Sequence, residues 1–256
     1  MSNNKKYVFE KKFYLRYNKF MIVSHRGYTK NYPENTIAAF DAALLAGADA
    51  IETDLRLTKD KSVVVSHDNV INLNKNKITI SETSITDLNG LLNLNQLFDY
   101  IKLKDVSFFL ELKDSSHILF EKIVKKIEQD NLWNKVYLIG FKKRIKTALS
   151  QQSKYPKLRV CQILKIPHFS LFKMPKKSYA VFFGWLVEIK FSKQLFRILI
   201  PKILLKWFKK YYEKHGFKVM VGVINEKKGI EYFQEVGIHD IFTDEVEIAK
   251  LCQKHK

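Results

Sequence analysis

The chain has 256 residues, 46% of them hydrophobic, which suffices for one large α/β domain with a sizeable core. Its two cysteines, Cys161 and Cys252, are far apart and lack metal-ligand spacing, excluding a disulfide framework or a zinc knuckle and favouring a reducing compartment. The net charge of +19 invites a nucleic-acid reading but is unevenly spread: between Lys165 and Lys218, twelve Lys and one Arg face Glu188 and Glu213, a net +11 in 54 residues.

Residues 1–20 form an N-terminal extension in which Glu10, Lys11, Lys12, Arg16 and Lys19 interrupt any apolar stretch, so no cleavable signal is expected. No run of about 18 uncharged apolar residues is present to span a bilayer. The expected location is cytoplasmic, and residues 21–256 read as a single domain.

In chain order, Met21-Ile22-Val23 is a first strand, and Pro33-Glu34-Asn35-Thr36 opens a helix that Asn35 or Thr36 can cap and Gly47 can end. Strands follow at Ala48 to Asp54 and Ser62 to Ser66, with a link too short for a helix. The segment from Asn69 to Asn95, rich in Asn, Ser and Thr, reads as an irregular excursion. A strand from Val106 to Leu112 precedes a helix that starts at Ser115 or Ser116 and runs to Asp130, and Val136 to Ile139 is a fifth strand. Weaker strands cover Leu158 to Leu164 and Tyr179 to Val187. Firmer ones cover Val219 to Ile224 and Asp240-Ile241-Phe242, separated by a helix with Ile230 and Phe233 and followed by a terminal helix from Glu245.

Alternation of strands and helices predicts a parallel sheet, here a (β/α)8 TIM barrel. Nine candidate strands compete for eight places, and one of the two weaker pieces is expected to lie outside.

Strand side chains alternate, so Glu52 and Asp54 share one face, as do Glu111 and Lys113. In a parallel barrel that face points inward, and the C-terminal strand ends are where barrel enzymes place their active sites. Three carboxylates in a partly dry cavity repel one another unless a cation neutralises them, and oxygen-only ligation favours Mg²⁺ or Ca²⁺ over zinc. Glu52, Asp54 and Glu111 are therefore the candidate metal ligands. Arg26 and Lys113 add the positive charge a phosphate needs, and His25 and His67 are candidates for general acid and base. Taken singly, each feature has a structural explanation: Asp68 can cap a turn, and Glu34 can serve the helix start as well as the chemistry.

The chain resembles the glycerophosphodiester phosphodiesterases. The matching residues are His25-Arg26-Gly27, Pro33-Glu34-Asn35-Thr36 with Ala39-Phe40, Gly47-Ala48-Asp49, Glu52-Thr53-Asp54, Thr58-Lys59-Asp60, Val64-Val65-Ser66-His67-Asp68 and Glu111-Leu112-Lys113. A looser match covers Gly237 to Asp244. The resemblance implies a TIM barrel that uses a divalent cation to hydrolyse a glycerophosphodiester into glycerol 3-phosphate and an alcohol. It also implies His25 and His67 as the catalytic pair, Glu52, Asp54 and Glu111 as metal ligands, and Arg26 and Lys113 as phosphate contacts. The chain departs from the pattern in a shortened stretch between Asp68 and Glu111. It also has Gly140-Phe141 where most members have Ser-Phe, and Gly222 where they have a Trp. These departures leave the alcohol side of the substrate open.

From Ser192 to His215, Lys202, Lys206, Lys209 and Lys210 recur at helical spacing, Ile203, Leu204, Trp207 and Tyr211 form another face, and Pro201 starts or kinks a helix. Residues 192–215 fit either an interfacial helix on an anionic membrane or an outer barrel helix with solvated lysines. With Phe169, Leu171, Phe172 and Phe182-Phe183-Gly184-Trp185, the first reading expects a lipid-facing lip near the pocket and a lysophospholipid among the substrates. Two other functions stay open: a phospholipase-type enzyme forming a cyclic phosphate, and a non-catalytic basic barrel that binds membranes or nucleic acid. The acidic cluster and the lack of a nucleic-acid motif oppose nucleic acid.

Overall fold

The computed structural model describes residues 20–73, 75–164, 178–185 and 191–253. Strand β1 (Ile22–His25) leads through α1 (Ile37–Leu45) to β2 (Ala50–Leu57), β3 (Val63–Val65) and an antiparallel pair, β4 (Val70–Leu73) and β5 (Asn76–Thr79). Two 3₁₀ turns, Ile80–Glu82 and Ile85–Asp87, precede α2 (Leu94–Leu103), β6 (Ser107–Leu112), α3 (His117–Gln129), β7 (Val136–Phe141), α4 (Lys146–Gln151) and β8 (Arg159–Ile163). Then come β9 (Ala180–Phe183), α5 (Ser192–Leu199), α6 (Lys202–Lys214), β10 (Lys218–Val221), α7 (Lys227–Gln234), β11 (Asp240–Thr243) and α8 (Val246–Gln253).

Eight strands close into a parallel barrel in the order β1-β2-β6-β7-β8-β9-β10-β11, with β1 pairing both β2 and β11. The fold is thus a single TIM barrel. Both strands expected to be weak, at Leu158 to Leu164 and Tyr179 to Val187, are barrel members, as β8 and β9; of the second, residues 186 and 187 lie outside the described residues. The supernumerary strand is instead β3, which pairs antiparallel with β2. Its connection decides this, because joining parallel strands takes a crossover of a dozen or more residues and only 58–62 are available. The turn is closed by Thr58, whose N–H donates to the Ser62 carbonyl at 2.9 Å, and by Asp60, whose carboxylate accepts from Thr58 Oγ1 at 2.5 Å and Ser62 Oγ at 3.0 Å.

Helix boundaries follow local chemistry. Thr36 caps α1 by accepting from the Ala39 N–H at 3.2 Å, and Gly47 follows its end with φ 100°. Asn93 and Gln96 form a reciprocal capping box at α2, and Ser116 caps α3. The stretch between Asp68 and Glu111 is more ordered than expected: Val64, Ile80 and Leu88 build a small core beneath the β4–β5 pair.

Two apolar layers position the site. Outside the strands, Ile51, Leu55, Phe108, Leu110 and Leu112 pack against the helices. Inside, Val23, Ala50, Phe109, Tyr137, Phe182, Met220 and Phe242 fill the barrel. The small residues Ala50, Cys161 and Ala180 leave room for large rings, with Phe182 edge-on to Phe242 at 4.6 Å and Phe109 stacked on Tyr137 at 4.7 Å. Since inward positions alternate, Val23 on the floor puts His25 above it, Ala50 puts Glu52 and Asp54 above it, and Phe109 does the same for Glu111 and Lys113.

Candidate active site

Glu52, Asp54 and Glu111 converge at the C-terminal end of the barrel, each offering a carboxylate oxygen within 4.8 Å of the others, and all three are buried. Strand pairing fixes this, because Asp54 sits beside Glu111 in the β2–β6 register and His25 beside Glu52 in the β1–β2 register. Glu52 is only 2% exposed, and neither of its carboxylate oxygens has a hydrogen-bond partner among the described residues. Burial, reinforced by the charges of Asp54 and Glu111, holds its carboxyl well above the usual carboxylate range.

Asp54 differs although it is equally dry. Burial pushes it upward, but the charges of Lys113 and Arg26, together with the close Lys113 contact and a hydrogen bond from Asn35, hold its carboxyl below the usual range. Lys113 Nζ lies 2.8 Å from Asp54 Oδ1 and 2.7 Å from Glu111 Oε2, and Arg26 Nε lies 3.3 Å from Asp54 Oδ2. The Asp54 contact is an ion pair off the hydrogen-bonding line, and the Glu111 contact is a true hydrogen bond.

His25 is held by a chain of partners. Its Nδ1 lies 2.8 Å from Asp244 Oδ1, and Asp244 Oδ2 accepts from Asn225 Nδ2 at 2.6 Å. Burial raises the Asp244 carboxyl, but the His25 contact and the Asn225 hydrogen bond outweigh it and keep the group ionised. An ionised partner makes Nδ1 the donor of this contact and leaves Nε2, 3.9 Å from Glu52 Oε2, free of it.

His67 arrives by another route. Strand β2 overshoots the barrel rim at Leu55–Leu57, and β3 folds back along it until the Ser66 N–H donates to the Asp54 carbonyl at 3.0 Å. His67 is thus not at a barrel-strand end as its sequence implies, but on a hairpin that returns to the level of Asp54. Arg56 clamps its carbonyl with two hydrogen bonds, at 2.9 and 2.5 Å, and Asp68 pairs with its Nδ1 at 2.9 Å instead of capping a turn.

Arg26 and Gly27 turn the chain sharply after β1, with φ values of 61° and 89°. A Cβ on Gly27 would lie 2.7 Å from that of Ala39, so the close approach of α1 requires glycine. Glu34 pairs with Arg26 Nη1 at 3.0 Å and takes no part in capping α1.

Four residues not expected at the site join it. Asn35 bridges Thr53 Oγ1 at 2.7 Å and Asp54 Oδ2 at 3.0 Å, Arg144 donates to Glu111 Oε1 at 3.1 Å, and Asp244 and Asn225 orient His25. Asn35 reads as a cap, Arg144 hides in the solvated-looking run Lys142-Lys143-Arg144, and Asn225 and Asp244 follow strand ends without any spacing signal. At Gly222, where a Trp was the family expectation, a Cβ would lie 2.5 Å from that of Phe242 and 3.0 Å from the Phe182 ring. Phe182 and Phe242 therefore occupy the space on this side of the cavity.

Among the described residues, Phe182, Phe183 and Trp185 form no lip. The first two belong to β9 and are buried, and Trp185 is buried against Phe196 and Phe233. Phe169, Leu171 and Phe172 lie outside the described residues.

A model of the glycerophosphoryl diester phosphodiesterase family matches residues 25–248. The glycerophosphodiester phosphodiesterase of Caldanaerobacter subterraneus subsp. tengcongensis is 26% identical over 252 residues, spanning 90% of this chain and 96% of that protein. The solved structure of the glycerophosphodiester phosphodiesterase from Thermotoga maritima superposes with a TM-score of 0.69 at 22% identity, covering 91% of this chain and 98% of that one. A phosphodiesterase of Oleispira antarctica, solved with the product sn-glycerol-3-phosphate, gives 0.69 at 16% identity over 91% and 96% of the two chains. The structural likenesses establish the barrel, and the match over residues 25–248 establishes the kinship: this chain belongs to the glycerophosphoryl diester phosphodiesterase family.

Proposed function

We propose that this member of the family is a metal-dependent enzyme that hydrolyses a glycerophosphodiester or lysophospholipid to a phosphomonoester such as glycerol 3-phosphate and an alcohol. The observation that carries this reading is Glu52, a buried carboxylate with two unpartnered oxygens beside Asp54 and Glu111. A divalent cation relieves both the desolvation and the mutual repulsion, and the all-oxygen donor set suits Mg²⁺ or Ca²⁺. Glu52, Asp54 and Glu111 would hold it, and when bound it supplies positive charge that polarises a phosphoryl oxygen.

The chain's own residues account for the rest. Arg26 and Lys113 bring donors to the non-bridging phosphate oxygens, where charge grows in the transition state. His25 Nε2, freed by the Asp244 contact at Nδ1, takes a proton from the attacking water. As the new phosphorus–oxygen bond forms, the bond to the alcohol breaks and His67 gives its proton to the departing oxygen. His67, half-buried and more open to solvent than His25, suits the side from which the alcohol leaves.

The same reading places the enzyme in phospholipid metabolism, in the cytoplasm, with a peripheral contact at the inner face of the membrane through residues 192–215. Among the described residues no helix is long and apolar enough to cross a membrane.

The test is turnover of glycerophosphocholine, glycerophosphoethanolamine and lysophosphatidylcholine with Mg²⁺ or Ca²⁺, before and after chelation. Hydrolysis of at least one substrate, lost on chelation and restored by the cation, is expected. Undiminished turnover after chelation would refute the metal role, and inertness towards all three would refute the substrate class. Oxygen-18 water distinguishes direct attack from a route through a cyclic phosphate.

A further inference from the structure

Helices α5 and α6 each carry two apolar faces, and the barrel covers only one of them. On the covered side, Phe196 of α5 packs edge-on to Trp185 at 5.7 Å, and Leu205, Phe208 and Tyr212 of α6 are buried. Away from this side, Ile198 of α5 and Ile203 and Trp207 of α6 stand in solvent, and Leu195 and Leu199 of α5 are also exposed. Ile203 is 85% exposed, Ile198 76% and Trp207 49%. Tyr211 adjoins them, its ring stacked on Trp207 at 5.1 Å. Large apolar side chains exposed on two successive helices in this way mark an interaction surface.

The charges beside this surface say what would cover it. Lys202 and Lys209 are paired with Glu235 and Glu213, but Lys206, Lys210 and Lys214 make no ion pair among the described residues. From Ser192 to His215 there are seven Lys and Arg and one acid, Glu213. A second copy of this chain would set like charge against like. Residues 1–19, with six Lys and Arg against Glu10, and residues 165–177, with four Lys and no acid, carry the same sign and would be repelled too.

We propose that this surface docks the protein on an anionic lipid bilayer, Leu195, Ile198, Leu199, Ile203 and Trp207 entering the interface while Lys206, Lys210 and Lys214 meet the headgroups. Tryptophan and aliphatic side chains on one side of a helix with lysines alongside is the composition of an interfacial helix. Helix α5 runs down the barrel wall, from Lys193 paired with Glu226 after β10 at the catalytic end to Lys202 paired with Glu235 past the far end of α7. Helix α6 stays at that far end: Lys209 lies beside Gly237 ahead of β11, and the helix finishes at Lys214, shortly before β10 begins at Lys218. The surface therefore lies away from the catalytic end, an arrangement different from a lip around the pocket. The inference sharpens the peripheral contact proposed above and is independent of the phosphodiester chemistry.

Co-sedimentation of the full chain with vesicles tests it, comparing pure phosphatidylcholine with a mixture containing roughly one-third phosphatidylglycerol. Binding to the anionic vesicles is expected to be at least about tenfold tighter than to the neutral ones. At about fivefold per lysine, replacing Lys206, Lys210 and Lys214 together by Ala weakens it about a hundredfold. The double variant Ile203→Asp, Trp207→Ala also releases the protein, while its circular dichroism and its turnover of water-soluble glycerophosphocholine stay unchanged. Equal binding to both vesicles, no binding to either, or variants that bind like the parent overturns the proposal. So does sedimentation equilibrium showing a dimer that the double variant dissolves, which would assign the surface to a second copy.

Discussion

The arc formed by β1, β2 and β6 and the arc carrying α5 and α6 are both rich in charge, yet their charges act in different ways. In the first, Glu52, Asp54 and Glu111 are withdrawn from water, so the charges of Asp54 and Glu111 raise the Glu52 carboxyl, and Arg26, Lys113 and Arg144 are tied to the trio at 2.7 to 3.3 Å. In the second, the lysines stand in solvent, where an ion pair contributes little to stability and a charge acts mainly through the field it projects. Burial rather than composition decides whether a charged residue becomes part of a reaction or part of a surface.

The largest effect that would break this contrast is catalytic. His25→Ala and His67→Ala should each lower turnover by at least about a hundredfold while leaving circular dichroism unchanged, whereas Lys210→Ala should not alter turnover of a water-soluble substrate. Comparable losses from all three would erase the distinction. Next comes packing beneath the site: Phe242→Ala removes the ring that meets Phe109 at 5.1 Å and Phe182 at 4.6 Å, and should cost about 3–5 kcal/mol in denaturant unfolding.

Smaller again is a pH effect confined to the chelated protein. Glu52 has a raised folded-state pKa, so the folded state keeps a proton that the unfolded state gives up. Stability should therefore be fully present below the ordinary carboxylate range and fall as pH rises from that range towards the folded value, by at most about 1.4 kcal/mol per pH unit. Glu52→Gln should flatten this slope, and a chelated protein whose melting temperature is constant over that window would contradict it. Smallest of all, single Lys206→Ala or Lys214→Ala changes should leave unfolding free energy within about 0.5 kcal/mol, as expected for solvated groups.

Legibility from sequence followed the same divide. The Glu52/Asp54 and Glu111/Lys113 pairs were readable because strand alternation alone puts them on one face. A cap at Asn35 or Thr36 was readable because it needs only local geometry, and the structure puts it at Thr36. Val63-Val64-Val65 misled because its apolar run is the same in kind as a barrel strand; only the short turn before it reveals a hairpin. Asn35, Arg144 and Asp244 were missed because their roles arise from contacts 18 to 219 residues away in sequence, which no local pattern encodes. For α6 the amphipathic character was readable but not its orientation: Leu205, Phe208 and Tyr212 face the barrel, leaving Ile203 and Trp207 outside.

The hairpin has a mechanical consequence. His25 is woven between β2 and β11 in the closed ring, so dislodging it means opening the barrel. His67 follows a three-residue strand that lies beyond the closed ring, held by β2, by Leu92 and Asn93 and by the burial of Val63, Val64 and Val65, so its place depends on contacts the eight parallel strands do not make. Warming should therefore silence the enzyme before it melts, and the two histidines should part company while the scaffold is still whole.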